Sequence, residues 1–189
     1  METYGSIILN VLTGVCAFGA VWRHIRKSSM DAVMKYFTAL SNIFCAAACL
    51  GTALWRLTPR PAGIVLILKY MGTVSVTVTM LTVLFFLMPQ YGARALLTGP
   101  DLWLHLLCPL GALISYFAWD KPEMPFACVL LGVAPVILYG LLYLWKTVLR
   151  RTKRPWQDFY GFNRNGKWKI SFICMAAAAF LISLALYAL

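Results

Sequence analysis

A threonine and a histidine are the residues whose types and setting can do chemistry in this chain. Thr38 opens a series in which Thr38, Ser41, Asn42, Cys45, Cys49 and Thr52 follow one another at steps of three or four residues. On a helix that spacing makes one continuous polar stripe, with Leu, Ile, Phe and Ala on the other faces. His105 stands in the run Asp101-Leu102-Trp103-Leu104-His105-Leu106-Leu107-Cys108-Pro109. A neutral His beside a Thr hydroxyl can take its proton and later return it to a leaving group, which is nucleophilic acyl transfer. Thr is a hindered nucleophile, so the base must be well oriented. The oxyanion that forms needs donors, for which Asn42, Ser41 or tyrosine hydroxyls are candidates. The other reading of the same pair is a hydrogen bond that only joins two membrane helices.

Further polar residues stand inside apolar runs. Pro109 has no N–H to give the carbonyl of His105, so the helix is expected to loosen there. Lys69 lies about two turns inside an apolar run and either snorkels to an interface or faces inward as a site residue. Tyr139 and Tyr143, one turn apart beyond Pro135, read as core aromatics or as hydroxyls lining a pocket. The segment from Pro155 to Asn163, with Trp156 as a substrate-binding candidate, reads as a lid or as an interfacial aromatic belt.

The elements that must position these residues follow from composition. The chain has 189 residues, 61% of them hydrophobic and 12% charged, with a mean hydropathy of +0.76. That is too apolar for a soluble domain of this size. A hydrocarbon layer of ~30 Å takes about 20 helical residues to cross, which leaves room for six or seven crossings. The apolar runs give six, over 4–22, 34–55, 62–88, 101–119, 125–147 and 168 to the C-terminus. The expectation is an all-α polytopic membrane protein, a single domain over 1–189 built as a bundle of six transmembrane helices. The stretch from Thr73 to Thr79 alternates with period two, yet its run is far too long for a strand, and it is read as helix. Thr58-Pro59-Arg60-Pro61 is a turn that no helix continues through. His24 is read as a solvated residue of a basic connection over 23–35.

Charge sets the orientation. The formal net charge is +11, from 17 Lys and Arg against 6 Asp and Glu. Thirteen of the cations flank the loops after the first, third and fifth helices, and four (Arg56, Arg60, Lys69 and Lys121) lie toward the other side. Loops rich in Lys and Arg stay in the cytoplasm, which places both termini outside, in the cytoplasmic membrane if the cell is bacterial. The same asymmetry explains the charge without nucleic acid. All six Cys lie in apolar runs without a CxxC pair or a His-rich partner, so they read as reduced packing residues and no metal or soluble cofactor is expected. The first apolar run has no basic leader or clear cleavage site and reads as a retained helix.

The segment Tyr36-Phe37-Thr38-Ala39-Leu40-Ser41-Asn42, then Leu102-Trp103-Leu104-His105 with Pro109, then the loop from Trp156 to Phe162, resemble the androgen-induced gene family of membrane hydrolases and its bacterial relatives. Order and spacing agree from the second helix to the sixth, and the fifth helix, with Pro135, Tyr139 and Tyr143, looks like the bacterial branch. Members of that family hydrolyse fatty acid esters of hydroxy fatty acids with an intramembrane Thr and His. The resemblance implies Thr38 as nucleophile and His105 as base. The chain is shorter than the animal proteins and lacks their further polar residues after His105.

These readings converge on a membrane hydrolase of lipophilic esters whose partners are membrane lipids and the ester itself. Two other classes compete. A solute-binding subunit of a vitamin transporter can also be a small six-helix bundle, but it needs a polar pocket, open to the outside. A non-catalytic scaffold or lipid-binding protein would use Thr38 and His105 only to bond helices together.

Overall fold

The computed structural model describes residues 2–58, 63–149 and 155–189. Among them no strand occurs, and six helices are long and apolar enough to cross a membrane. The chain is an integral membrane protein with an all-α polytopic bundle. Pro59, Arg60 and Pro61 of the expected turn lie outside the described residues, as do Arg150, Arg151, Lys153 and Arg154 of the charge count.

Helix α1 (Glu2–Lys27) runs past its expected end and carries His24 with it. Its last turn holds His24 together with Arg26 and Lys27, two cations that suit the negative end of the helix dipole. His24 is therefore not a solvated loop residue; its Nε2 lies 3.1 Å from an Asp101 oxygen. A short helix, Met30–Met34, follows, capped by the Ser29 hydroxyl, which accepts from the Ala32 N–H. Tyr36 is extended, so α2 (Phe37–Arg56) starts three residues later than the apolar run suggests.

Helix α3 (Gly63–Tyr91) is helical through the alternating Ser/Thr stretch. The hydroxyls of Thr73, Ser75, Thr77 and Thr79 each donate to the carbonyl four residues back, which hides their polarity inside the helix. Helix α4 (Pro100–Asp120) contains two π-helical turns, Trp103–Leu107 and Tyr116–Asp120. Helix α5 (Cys128–Thr147) keeps Pro135 in its interior, and α6 (Trp168–Ala188) closes the chain.

Helix α3 is the centre of the bundle, packed against α2, α4, α5 and α6, while α1 lies on α2 and α4. Tyr70, Val74, Tyr116, Val136 and Ala179 make the largest apolar core. Close approach depends on small residues. A Cβ on Gly132 would lie 2.3 Å from the Ser183 hydroxyl and 2.8 Å from the Tyr70 ring. No larger residue fits there without displacing the Tyr70–Ser183 hydrogen bond, 2.6 Å between the two hydroxyls.

Candidate functional site

The site is assembled at the end of the bundle where α2, α4 and α6 begin. Helix α4 enters through a π turn in which the Cys108 N–H bonds the carbonyl of Trp103, five residues back. In that register the carbonyl of Leu104 waits for an N–H at residue 109, which is a proline and has none. The Asn42 side chain fills the gap. Its Nδ2 donates to the Leu104 carbonyl (3.0 Å) and to the Thr38 carbonyl (2.8 Å). One amide nitrogen thus holds the peptide groups that follow Thr38 and precede His105 within hydrogen-bond distance. The two residues do stand at one depth in the bundle.

His105 is buried, and its Nδ1 lies 2.7 Å from the carbonyl of Leu96 in the preceding loop. A carbonyl only accepts, so Nδ1 carries a proton, and a neutral ring then presents Nε2 as a lone pair. The Leu96 carbonyl is the orienting partner that a basic imidazole needs.

Thr38 lies in the first turn of α2, on the wall of a cavity of about 680 Å³ between α3, α5 and α6. The size is in the range of small-molecule sites. Its wall is apolar along Leu81, Phe85, Val136, Met175 and Ile182, and its polar groups include Thr38, Thr79, Tyr139, Tyr143 and Tyr160. A smaller cleft on the other side of Phe37 and Tyr139 is lined by Ser41, Ser75 and Pro135.

The loop between α5 and α6 closes this end of the cavity with Tyr160 and Phe162. It is folded around Asp158, whose carboxylate accepts from the Tyr143 hydroxyl (2.8 Å) and the amides of Phe162 (2.8 Å) and Asn163 (2.7 Å). Tyr160 reaches α2, where its hydroxyl accepts from the Phe37 N–H at 3.2 Å, one of the unpaired amides at the helix start. The Thr38 and Tyr139 side chains lie close enough to act on the same phenol. Burial, outweighing the bond from the Phe37 amide, pushes the Tyr160 phenol up to about 12, so it keeps its proton at ordinary pH.

Several expected roles change on this geometry. Both Asn42 protons are spent on carbonyls, so Asn42 positions the helices and gives no oxyanion donor; its buried Oδ1 has no partner among the described residues. Ser41 has one proton and two acceptors, the Thr38 carbonyl (3.2 Å) and the Thr79 hydroxyl (2.9 Å), so it too is occupied. Tyr139 and Tyr143 do line the cavity, but their protons go to the Lys35 carbonyl (2.7 Å) and to Asp158. Trp156 is not in the cavity wall; its ring packs on Tyr143 and Phe159, each 6.3 Å away centre to centre. His105 is not in the wall either.

Lys69 neither snorkels nor belongs to this site. Its ammonium is fully buried and donates to Asn10 Oδ1 (2.6 Å), Ser115 Oγ (2.7 Å) and Cys49 Sγ (3.0 Å). Asn10 in turn donates to Asp120 (2.6 Å), which also accepts from Ser6 (2.7 Å) and pairs with Arg56 (3.0 Å). Four helices are tied together there. The cluster is ten residues along α3 from Thr79, about 15 Å from the level of Thr38. Ser6, Asn10, Arg56, Ser115 and Asp120 escaped the sequence reading, although an Asn in the middle of an apolar helix is a signal that a partner is near. Among the described residues no group of three or more His, Cys, Asp or Glu is placed to hold a metal.

No protein-family model matches the chain, no curated protein matches it, and no solved structure matches it.

Proposed function

We propose that the protein hydrolyses lipophilic esters inside the membrane, with Thr38 as nucleophile and His105 as base, as the resemblance to the androgen-induced gene family implies. The observation that carries the reading is the Thr38 hydroxyl at the polar end of a large apolar cavity, with Asn42 clamping its backbone to that of His105. An acyl chain fills the cavity and its ester reaches Thr38. His105 Nε2 becomes the hydrogen-bond partner of the Thr38 hydroxyl; such contacts commonly tighten only when substrate is present. The Thr38 oxygen then bonds the acyl carbon and its proton passes to Nε2. The alcohol leaves with that proton. Water, giving a proton to the same nitrogen, releases the fatty acid and restores Thr38. On this reading the basic ends of the helices face the cytoplasm and the termini face outward.

A second reading is favoured by the position of His105 outside the cavity wall: a lipid-binding protein that performs no chemistry. The apolar wall speaks against a water-soluble vitamin as ligand. Purified protein assayed with long-chain esters separates the two. Hydrolysis that falls roughly hundredfold or more in both Thr38→Ala and His105→Ala supports the enzyme. Binding of the ester with no turnover in the wild type supports the second reading.

A further inference from the structure

The cavity wall has a chemical bias that neither reading uses. No Lys, Arg, His, Asp or Glu is among the described residues that line it. Lys35, the cation next to Thr38 in the chain, has its ammonium over the Tyr36 and Phe159 rings, at 5.0 and 5.6 Å, not on the cavity wall. A carboxylate or phosphate drawn into this space would lose its water and find no countercharge. The described wall therefore favours an uncharged group.

The hydroxyls sharpen this. Tyr139 and Tyr143 are committed to a backbone carbonyl and a carboxylate, and Thr79 and Ser171 to the carbonyls of the preceding helical turn, while Thr82, also on the wall, is the rival donor. Tyr160 differs. Its oxygen accepts from the Phe37 amide, and among the described residues its own proton makes no hydrogen bond of ordinary length; the Thr38 and Tyr139 side chains are the groups that act on it. Tyr139 has given its proton to Lys35, so it offers Tyr160 only an oxygen. A ligand carbonyl is a better acceptor than either hydroxyl and competes for that proton at little cost.

We propose that the cavity selects an uncharged, carbonyl-bearing lipid, and that Tyr160 is the donor that selects it. The inference rests on the cavity being the lipid site; it does not depend on turnover. In the hydrolytic reading the same donor would hold the ester carbonyl beside Thr38, which makes Tyr160 a positioning residue at the least.

The test is competition against a photoreactive, diazirine-bearing long-chain methyl ester, crosslinked to the full chain in nanodiscs and mapped by mass spectrometry. The competitors are methyl hexadecanoate, hexadecyl methyl ether and hexadecanoate. The ester should compete about three- to tenfold better than the ether, the value of one hydrogen bond. Hexadecanoate should compete poorly and improve when pH is lowered enough to protonate it. Tyr160→Phe, which keeps the ring, should bind the chain and lose the preference for ester over ether; Thr82→Val, on the α3 wall, should keep it. A preference that survives in Tyr160→Phe, a loss in Thr82→Val, or hexadecanoate competing as well as the ester at neutral pH would overturn the inference. Crosslinks that avoid the cavity altogether would overturn the lipid-site reading beneath it. Selective binding without hydrolysis would leave the inference standing and remove only the enzyme.

Discussion

Asn42→Ala tests how the site is built. Removing the amide takes one of two side-chain donors from the Thr38 carbonyl, which keeps the Ser41 hydroxyl at 3.2 Å. The Leu104 carbonyl fares worse, since the π register leaves it facing Pro109. A buried acceptor without a partner costs about 1–3 kcal/mol, while hydrogen bonds between membrane helices average about 0.6 and reach about 1.7. A loss of about 1–2 kcal/mol is expected. Pro109→Ala in the same chain returns an N–H that can reach Leu104, so the double variant should recover about 1 kcal/mol of that loss. The assay is reversible unfolding in mixed micelles at rising dodecyl sulfate, followed by tryptophan fluorescence. An Asn42→Ala protein within about 0.3 kcal/mol of wild type would refute the reasoning, as would effects of the two substitutions that simply add.

Lys69→Met leaves Asn10 Oδ1 and the Ser115 hydroxyl without their donor and should cost about 1–3 kcal/mol in the same unfolding assay. Its turnover per folded molecule should match wild type, since the cluster lies about 15 Å from the level of Thr38; a selective loss of activity would return Lys69 to the site. Asp158→Asn puts an amide where three donors converge, so the loop over 158–163 should exchange its backbone amides about tenfold faster by hydrogen–deuterium exchange. Unchanged exchange would mean that Asp158 does not organise the loop.

The fold was legible because lipid enforces it. Runs long enough to span, broken by Pro and by cations, leave little choice but six helices, and the Thr73–Thr79 alternation yields to that constraint. Thr38 and His105 each stand four residues inside the apolar runs that begin at 34 and 101, so their common level could be read as distance from each start. Rotation was not. Whether Lys69 faces lipid or the interior depends on Asn10 and Ser115, 59 and 46 residues away in sequence, and no local pattern records such partners. Asp120 lies one residue past the expected end of its apolar run at 119, yet a π turn keeps it in the helix and buries it against Ser6. Tyr160 was hidden for a related reason. It matters through an amide of α2, 123 residues earlier in the chain, which no loop sequence announces.

The central claim is that Thr38 is an activated nucleophile. Purified wild type, Thr38→Ala and His105→Ala proteins should be treated with an alkyl fluorophosphonate and the adduct located by mass spectrometry. The account predicts an adduct on Thr38 in the wild type that is lost in both variants. Folded wild-type protein that takes no adduct, or one that labels Thr38 equally well without His105, would contradict it.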